Sequence, residues 1–236
     1  MKPFIKIFIA LVVIAVMVGG YYYLHRPGNY GRGLKVVDYI RHPSDHDDWR
    51  IPALQACSDA PFLFPTDGYV GFLWDDSFRP GHQHQGIDIF AGTQPGETPV
   101  YAVYDGYLTR LSDWRSSVII RVPSDPLMPG RQIWTYYTHM ADQNGNSYIA
   151  DEFPPGTTEL PVQAGTLLGY QGDYSGDPNN PVGVHLHFSI VLDDGEGHFR
   201  NELEIRNTLD PSPYFNMNLN SHSNQDEIPA CRQVDV

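Results

Sequence analysis

Only two cysteines, Cys57 and Cys231, occur in the 236 residues, and no histidine adjoins either, so neither is a convincing nucleophile. Basic residues are scarce too: 15 Lys and Arg stand against 28 Asp and Glu, a net charge of -13 that becomes -15 once Lys2 and Lys6 are set aside. An acidic surface of this kind argues against nucleic acid as a partner and against peripheral adhesion to anionic lipid. Helix-forming runs are few, no internal repeat is visible, and no His-Glu-x-x-His pattern offers a glutamate base beside a metal. Glycine, proline and aromatic residues are frequent by contrast, an all-β balance.

Long apolar runs are absent apart from one. Lys2 and Lys6 precede an uncharged stretch over residues 7–24, which as a helix reaches about 27 Å and nearly crosses a hydrocarbon core. It ends in Tyr21-Tyr22-Tyr23, suited to an interfacial belt, and the two lysines favour a cytoplasmic start with everything downstream exported. The expectation is a membrane anchor carrying an extracytoplasmic domain. The alternative is secretion after cleavage of a signal peptide near Val18-Gly19-Gly20. About 210 residues remain beyond this segment, enough for one well-packed domain with flanking segments rather than two.

The chemistry is concentrated in His84-Gln85-Gly86-Ile87-Asp88 and, about a hundred residues later, His185-Leu186-His187. Two imidazoles and a carboxylate in two short stretches, with further histidines at His139 and His185, are how an open catalytic metal site looks in sequence. Side chains alternate along a strand, so His185 and His187 project to one side, with Val184, Leu186, Phe188 and Ile190 as suitable strand residues. His84 and Asp88 are harder to unite, because four residues of ideal strand span roughly 13 Å. A bend is therefore expected at Gly86, where the missing Cβ tolerates a kink or bulge.

Strands are expected over residues 69–74, 86–90, 100–103, 107–111, 117–122, 132–139, 166–170 and 185–192, with turns at Asp105-Gly106 and Pro129-Gly130. Such intervals suggest an antiparallel β sandwich or barrel-like domain. Residues 34–40 have the makings of one or two helical turns. Asp45-His46-Asp47-Asp48 reads as a solvated face or helix cap rather than a metal cluster, and the asparagine- and serine-rich segment after Phe215 reads as poorly ordered. An even cysteine count flanking the domain of an exported chain suggests a Cys57–Cys231 disulfide, with two unpaired thiols as the alternative.

His84-x-Gly86-x-Asp88-Ile89, Tyr137-Thr138-His139-Met140 and His185-Leu186-His187-Phe188 together resemble the three motifs of the lysostaphin-like (LytM-type) metallopeptidases, metallopeptidase family 23. Phe64-Pro65 with Gly68, Pro99-Val100, Gly106, Gly165, Gly172 and Asp210-Pro211 extend the likeness over roughly residues 60–215. The resemblance implies an antiparallel core sheet of the duplicated hybrid motif type with one Zn2+ in a groove across it. It implies His84, Asp88 and His187 as zinc ligands with water in the fourth position, and His139 and His185 as the catalytic pair. The chain then divides into an anchor or signal peptide (1–24), a juxtamembrane connector (25–56), the metallopeptidase domain (57–215) and a polar tail (216–236).

The implied activity is hydrolysis of amide bonds in the peptide cross-links of peptidoglycan, with Trp134, Tyr136, Tyr137 and nearby arginines as peptide contacts. Three departures bear on the cleft rim: the turn-rich insert Asp177-Pro178-Asn179-Asn180-Pro181-Val182, Ser189 where an acidic residue is frequent, and a poor match over residues 74–81. Two other readings stand beside this one. One is a non-catalytic envelope regulator that activates a cell-wall amidase; the other is a histidine phosphocarrier without metal.

Overall fold

The computed structural model describes residues 14, 17, 30–77, 81–222 and 227–232. Its frame is an eight-stranded sheet, antiparallel at every pairing, built from β1 (Tyr69–Phe72), β2 (Ile87–Phe90), β4 (Gly106–Thr109), β5 (Val118–Val122), β6 (Ile133–Thr138), β7 (Leu160–Val162), β9 (Leu186–Leu192) and β10 (Thr208–Leu209). The spatial order is β1-β2-β9-β6-β5-β4-β7, with β10 also beside β9. A second, two-stranded sheet pairs β3 (Pro99–Tyr101) with β8 (Leu167–Tyr170).

The alternation of β6 and β9 explains how the layers form. Ile133 and Tyr137, with Leu186, Phe188 and Ile190, point to one side, where they join Val100 and Leu168 of the small sheet in a single core. Trp134, Tyr136 and Val191 point to the other and form a separate cluster with Ile119, Trp114 and Phe199. Phe62, Phe64 and Phe188 each meet Phe215 edge-on in the main core, each ring worth about 1.5–3 kcal/mol of burial.

The large sheet is open, with β1 and β7 as the edge strands of its path, each paired on one side only, so the barrel-like expectation gives way to an open sheet backed by a small one. β7 closes one edge with Leu160-Pro161-Val162, and proline is tolerated there because an edge residue need not donate to a second neighbour. Among the described residues no helix is long and apolar enough to cross a membrane. The anchor expected over residues 7–24 lies, apart from Ile14 and Met17, outside the described residues.

Helix α1 spans Tyr30–Arg41, longer than the turns expected over 34–40, because Val36 and Tyr39 pack against Tyr69 and Phe90 of the sheet. Asp45, His46, Asp47 and Asp48 lie in a 3-10 segment, Pro43–Trp49, where His46 stacks on Trp49 with ring centroids 3.9 Å apart. The described part of the segment after Phe215 departs from its expected disorder, with Met217 and Leu219 buried in the main core, while residues 223–226 and 233–236 lie outside the described residues. Cys57 and Cys231 form a disulfide across 174 residues, with Cα atoms 5.4 Å apart.

That crosslink closes a long loop, and on the chain-entropy model it stabilises by up to about 5 kcal/mol. Replacing both cysteines with serine is expected to cost about 2–5 kcal/mol in denaturant unfolding while the sheet persists at 25 °C. Coincident unfolding curves for the two proteins would refute it.

Candidate metal centre

Strand β9 carries the site between two neighbours. In its pairing with β2, Asp88 lies directly opposite His187, and in its pairing with β6, Thr138 lies opposite His187 and His139 follows at once. Directly opposed antiparallel residues send their side chains to the same face, so Asp88 and His187 meet without any loop adjustment. His187 Nδ1 lies 2.8 Å from Asp88 Oδ1.

His84 reaches the same point from the bend at Gln85-Gly86. The segment before β2 is pinned back on residues 73–76, where His84 N donates to Asp76 O and Asp75 N donates to His84 O, both at 2.8 Å. The His84 ring lies with Nδ1 3.0 Å from Leu73 O, so that nitrogen carries the proton, and Nε2 presents its lone pair 3.1 Å from both Asp88 Oδ1 and His187 Nδ1. A carbonyl that fixes the tautomer of a ligating imidazole is a common partner of metal-binding histidines.

Gly86 is needed here for proximity rather than for a left-handed backbone. A Cβ at this position would lie 2.1 Å from Phe188 O and 3.0 Å from His187 Nε2. Gly86→Ala is therefore expected to push β2 off β9, costing about 3 kcal/mol or more and lowering metal affinity together with stability. Thermal unfolding with and without added zinc checks this, and a variant as stable as the parent in both conditions would contradict it.

His185 and His139 complete the constellation. His185 Nε2 lies 3.6 Å from Asp88 Oδ1, its ring stacks on Phe90, and its Nδ1 is 2.6 Å from Gly183 O. The rings of His139 and His185 have centroids 4.5 Å apart, and His139 Nδ1 is 2.7 Å from Tyr174 O. His139 has a φ of 74°, a left-handed conformation rare for a side-chain-bearing residue and often found where a site holds a group in place. Gly172 lets its own segment lie close against this turn, since a Cβ there would lie 2.1 Å from Ala141 O and 2.5 Å from His139 O.

Burial and charge set the site's character. His84, Asp88 and His185 are buried, whereas His139 and His187 remain partly exposed, so the site opens on their side. Burial opposes ionisation of Asp88, but His84 and His185 beside it outweigh that and hold its carboxyl well below the usual range. Burial, then the neighbouring His185 and His187, pushes His139 down to about 3, which keeps it neutral. His187 is lowered as well, chiefly by burial.

These donors fit zinc. Ligands placed tetrahedrally at 2.0–2.1 Å from Zn2+ lie about 3.3 Å from one another, and the three donor atoms of His84, Asp88 and His187 stand 2.8 to 3.1 Å apart. Two imidazoles and one carboxylate form a donor set of the catalytic rather than the structural kind. A second trio, Asp194, Glu196 and His198, also lies within 4.8 Å, but on an exposed loop where Asp194 already accepts from Glu196 N and His198 N.

The structure brings together the five side chains that the sequence singled out, with His84, Asp88 and His187 at one point and His139 and His185 beside them. None of the three expected aromatic peptide contacts is open: Trp134 and Tyr136 lie on the His187 face but are buried in the cluster with Phe199, and Tyr137 is fully buried on the opposite face, where its hydroxyl accepts from Val103 N at 3.0 Å. What sequence reasoning missed is the set of backbone carbonyls of Leu73, Tyr174 and Gly183 that orient three histidines. Every residue has a carbonyl, so no letter of the sequence marks them.

No family model matches the chain, and no curated protein does. Solved structures do. The chain is similar to lysostaphin-type peptidases. Lysostaphin from Staphylococcus simulans, an antimicrobial peptidase, is 17% identical with a TM-score of 0.39, over 70% of this chain and 55% of that one. A putative glycyl-glycine endopeptidase LytM from Ruminococcus gnavus is 24% identical with a TM-score of 0.38, over 67% and 60%. A variant catalytic domain of the prophage-encoded M23 protein EnpA from Enterococcus faecalis is 20% identical with a TM-score of 0.37, over 63% and 95%. The chain thus spans less than two thirds of the first two structures.

Proposed function

We propose that this chain is a zinc-dependent endopeptidase that hydrolyses amide bonds in the peptide cross-links of peptidoglycan, acting outside the membrane to which its amino-terminal segment tethers it. The observation that carries the reading is the convergence of His84, Asp88 and His187 on one point with His139 and His185 beside it.

His84, Asp88 and His187 would hold the ion, with Asp88 supplying the negative charge. Zinc in a three-ligand site supplies Lewis acidity toward a carbonyl and makes water at its open position acidic enough to react near neutral pH. The chain's own part is positioning and proton handling. His139 and His185 each carry a proton on the Nδ1 that faces a carbonyl, leaving Nε2 free to accept a proton from water and return it to the leaving amine. His139, kept neutral by burial and by the neighbouring rings, would hold such a proton only briefly before passing it to the leaving amine.

The site opens on the side of His139 and His187, the two partly exposed rings, and a peptide carbonyl would approach from there. Tethering supports action on a nearby wall, because it raises effective concentration without any charge attraction. The deciding assay incubates purified full-length protein and zinc with sacculi, no partner protein present, and identifies released fragments by mass spectrometry. New amine and carboxyl ends at peptide cross-links are the expected result. Intact sacculi with zinc bound would sink the reading and favour a regulator of a separate amidase.

A further inference from the structure

Both histidines that do not ligate the candidate ion are held from one loop. Tyr174 O, at the start of this loop, lies 2.7 Å from His139 Nδ1, and Gly183 O, at its end, lies 2.6 Å from His185 Nδ1. Between these two carbonyls runs the insert that sets the chain apart from the motif pattern, Asp177 to Val182, largely exposed.

The loop is closed and braced rather than slack. Its neck is pinned by Val182 N donating to Asp173 O at 3.0 Å and His185 N donating to Gly172 O at 3.2 Å. Its tip is organised by Asp177, which accepts from Asn179 N at 2.9 Å, and is tied to the neighbouring loop by Gln143 Nε2 donating to Pro178 O at 2.9 Å. Asp173 N, in turn, donates to Ala141 O at 3.0 Å, so the neck is fastened to the segment that carries His139.

We propose that residues 173–183 form a tautomer clamp, a positioning element that holds His139 and His185 together in the Nδ1–H form so that both Nε2 atoms face the reaction. The proposal rests on the peptidase reading for its catalytic consequence, but the clamp itself is a statement about two rings and two carbonyls. Neutral imidazole in water exchanges between tautomers, and a fixed acceptor beside one nitrogen selects the form with its proton there. Here a single loop supplies both acceptors. Loosening its neck or tip should release both rings together, although the changed residues touch neither ring. The loop residues themselves are positioning residues and need not meet substrate.

The test uses two variants of the full-length chain. In the first, residues 175–181 are replaced by a glycine-serine segment of equal length; in the second, Gln143→Ala is combined with Asp177→Ala, both exposed changes that spare the fold. Side-chain nitrogen NMR shifts of His139 and His185 report the tautomer, alongside zinc content, melting temperature, kcat and KM on muropeptides. The parent should show a single Nδ1–H tautomer at both rings. The first variant should show tautomer averaging at both, with kcat lowered about 10- to 100-fold, KM changed less than about threefold and zinc stoichiometry unchanged. The second should move the same way by a smaller factor.

Unchanged ring shifts in both variants would overturn the clamp, as would averaging with undiminished turnover, or a change confined to KM, which would make the loop a substrate contact instead. A parent inactive on wall substrates that still shows the tautomer response would sink the peptidase reading and leave the clamp standing.

Discussion

Asp88→Ala should empty the metal site, taking zinc from about one ion per chain to near zero and muropeptide cleavage down by about a thousandfold or more. Asp88 is the one anionic donor of the trio, and its Oδ1 lies within 3.1 Å of ring nitrogens of His84 and His187 and 3.6 Å from His185 Nε2. Without it a dication would face imidazoles alone, and no other carboxylate among the described residues joins the cluster. Its loss also leaves a small void among buried rings, so a modest stability cost should accompany the loss of metal. His84→Ala should do the same to zinc and activity. Metal analysis of the purified variants beside a fragment-release assay checks both, and full activity in either variant would end the metallopeptidase reading.

His139→Ala and His185→Ala should behave in the opposite way toward the metal. Neither ring is among the three donors that share one point, so zinc content should stay at the parent level while kcat falls by about 10²- to 10⁴-fold, the range of a lost general acid or base. Groups that act mainly in the transition state leave KM nearly untouched when removed. The two rings, 4.5 Å apart and serving the same proton transfers, should also be non-additive: the double variant should lose little more than the worse single one. Zinc loss on replacing His185 would show that the ligand set has been divided wrongly between His185 and His187. Undiminished kcat in both single variants would remove the pair from the mechanism.

Legibility in the sequence followed the range of the forces involved. All eight expected strands are present within a few residues of their expected ends, since alternation and β-branched content act locally. β7 and β10 escaped notice because three and two residues, one of them Pro161, carry no periodic signal and become strands only through neighbours that already exist. Helix α1 outran its expected turns because Val36 and Tyr39 gain burial on Tyr69 and Phe90, contacts invisible to propensity. The burial of Met217 and Leu219 was hidden for a similar reason: their segment is polar on average, and two apolar side chains with a disulfide beyond them suffice to dock it. Tyr137 shows a further limit. Alternation says that Tyr136 and Tyr137 point opposite ways, but not which of the two faces is the core.

The identity of the donors, the shared face of His185 and His187 and the need for a bend before Asp88 were determined by the sequence, because side-chain chemistry and strand period are properties of neighbouring residues. Only the tertiary structure decided that β2 and β9 pair in the register that sets Asp88 opposite His187, that the sheet stays open, and that Gly86 serves close approach rather than a left-handed turn. It alone placed Leu73, Tyr174 and Gly183 carbonyls behind three imidazoles. Such features depend on backbone atoms common to every residue and on contacts between distant segments, so they come into being only when the chain closes on itself.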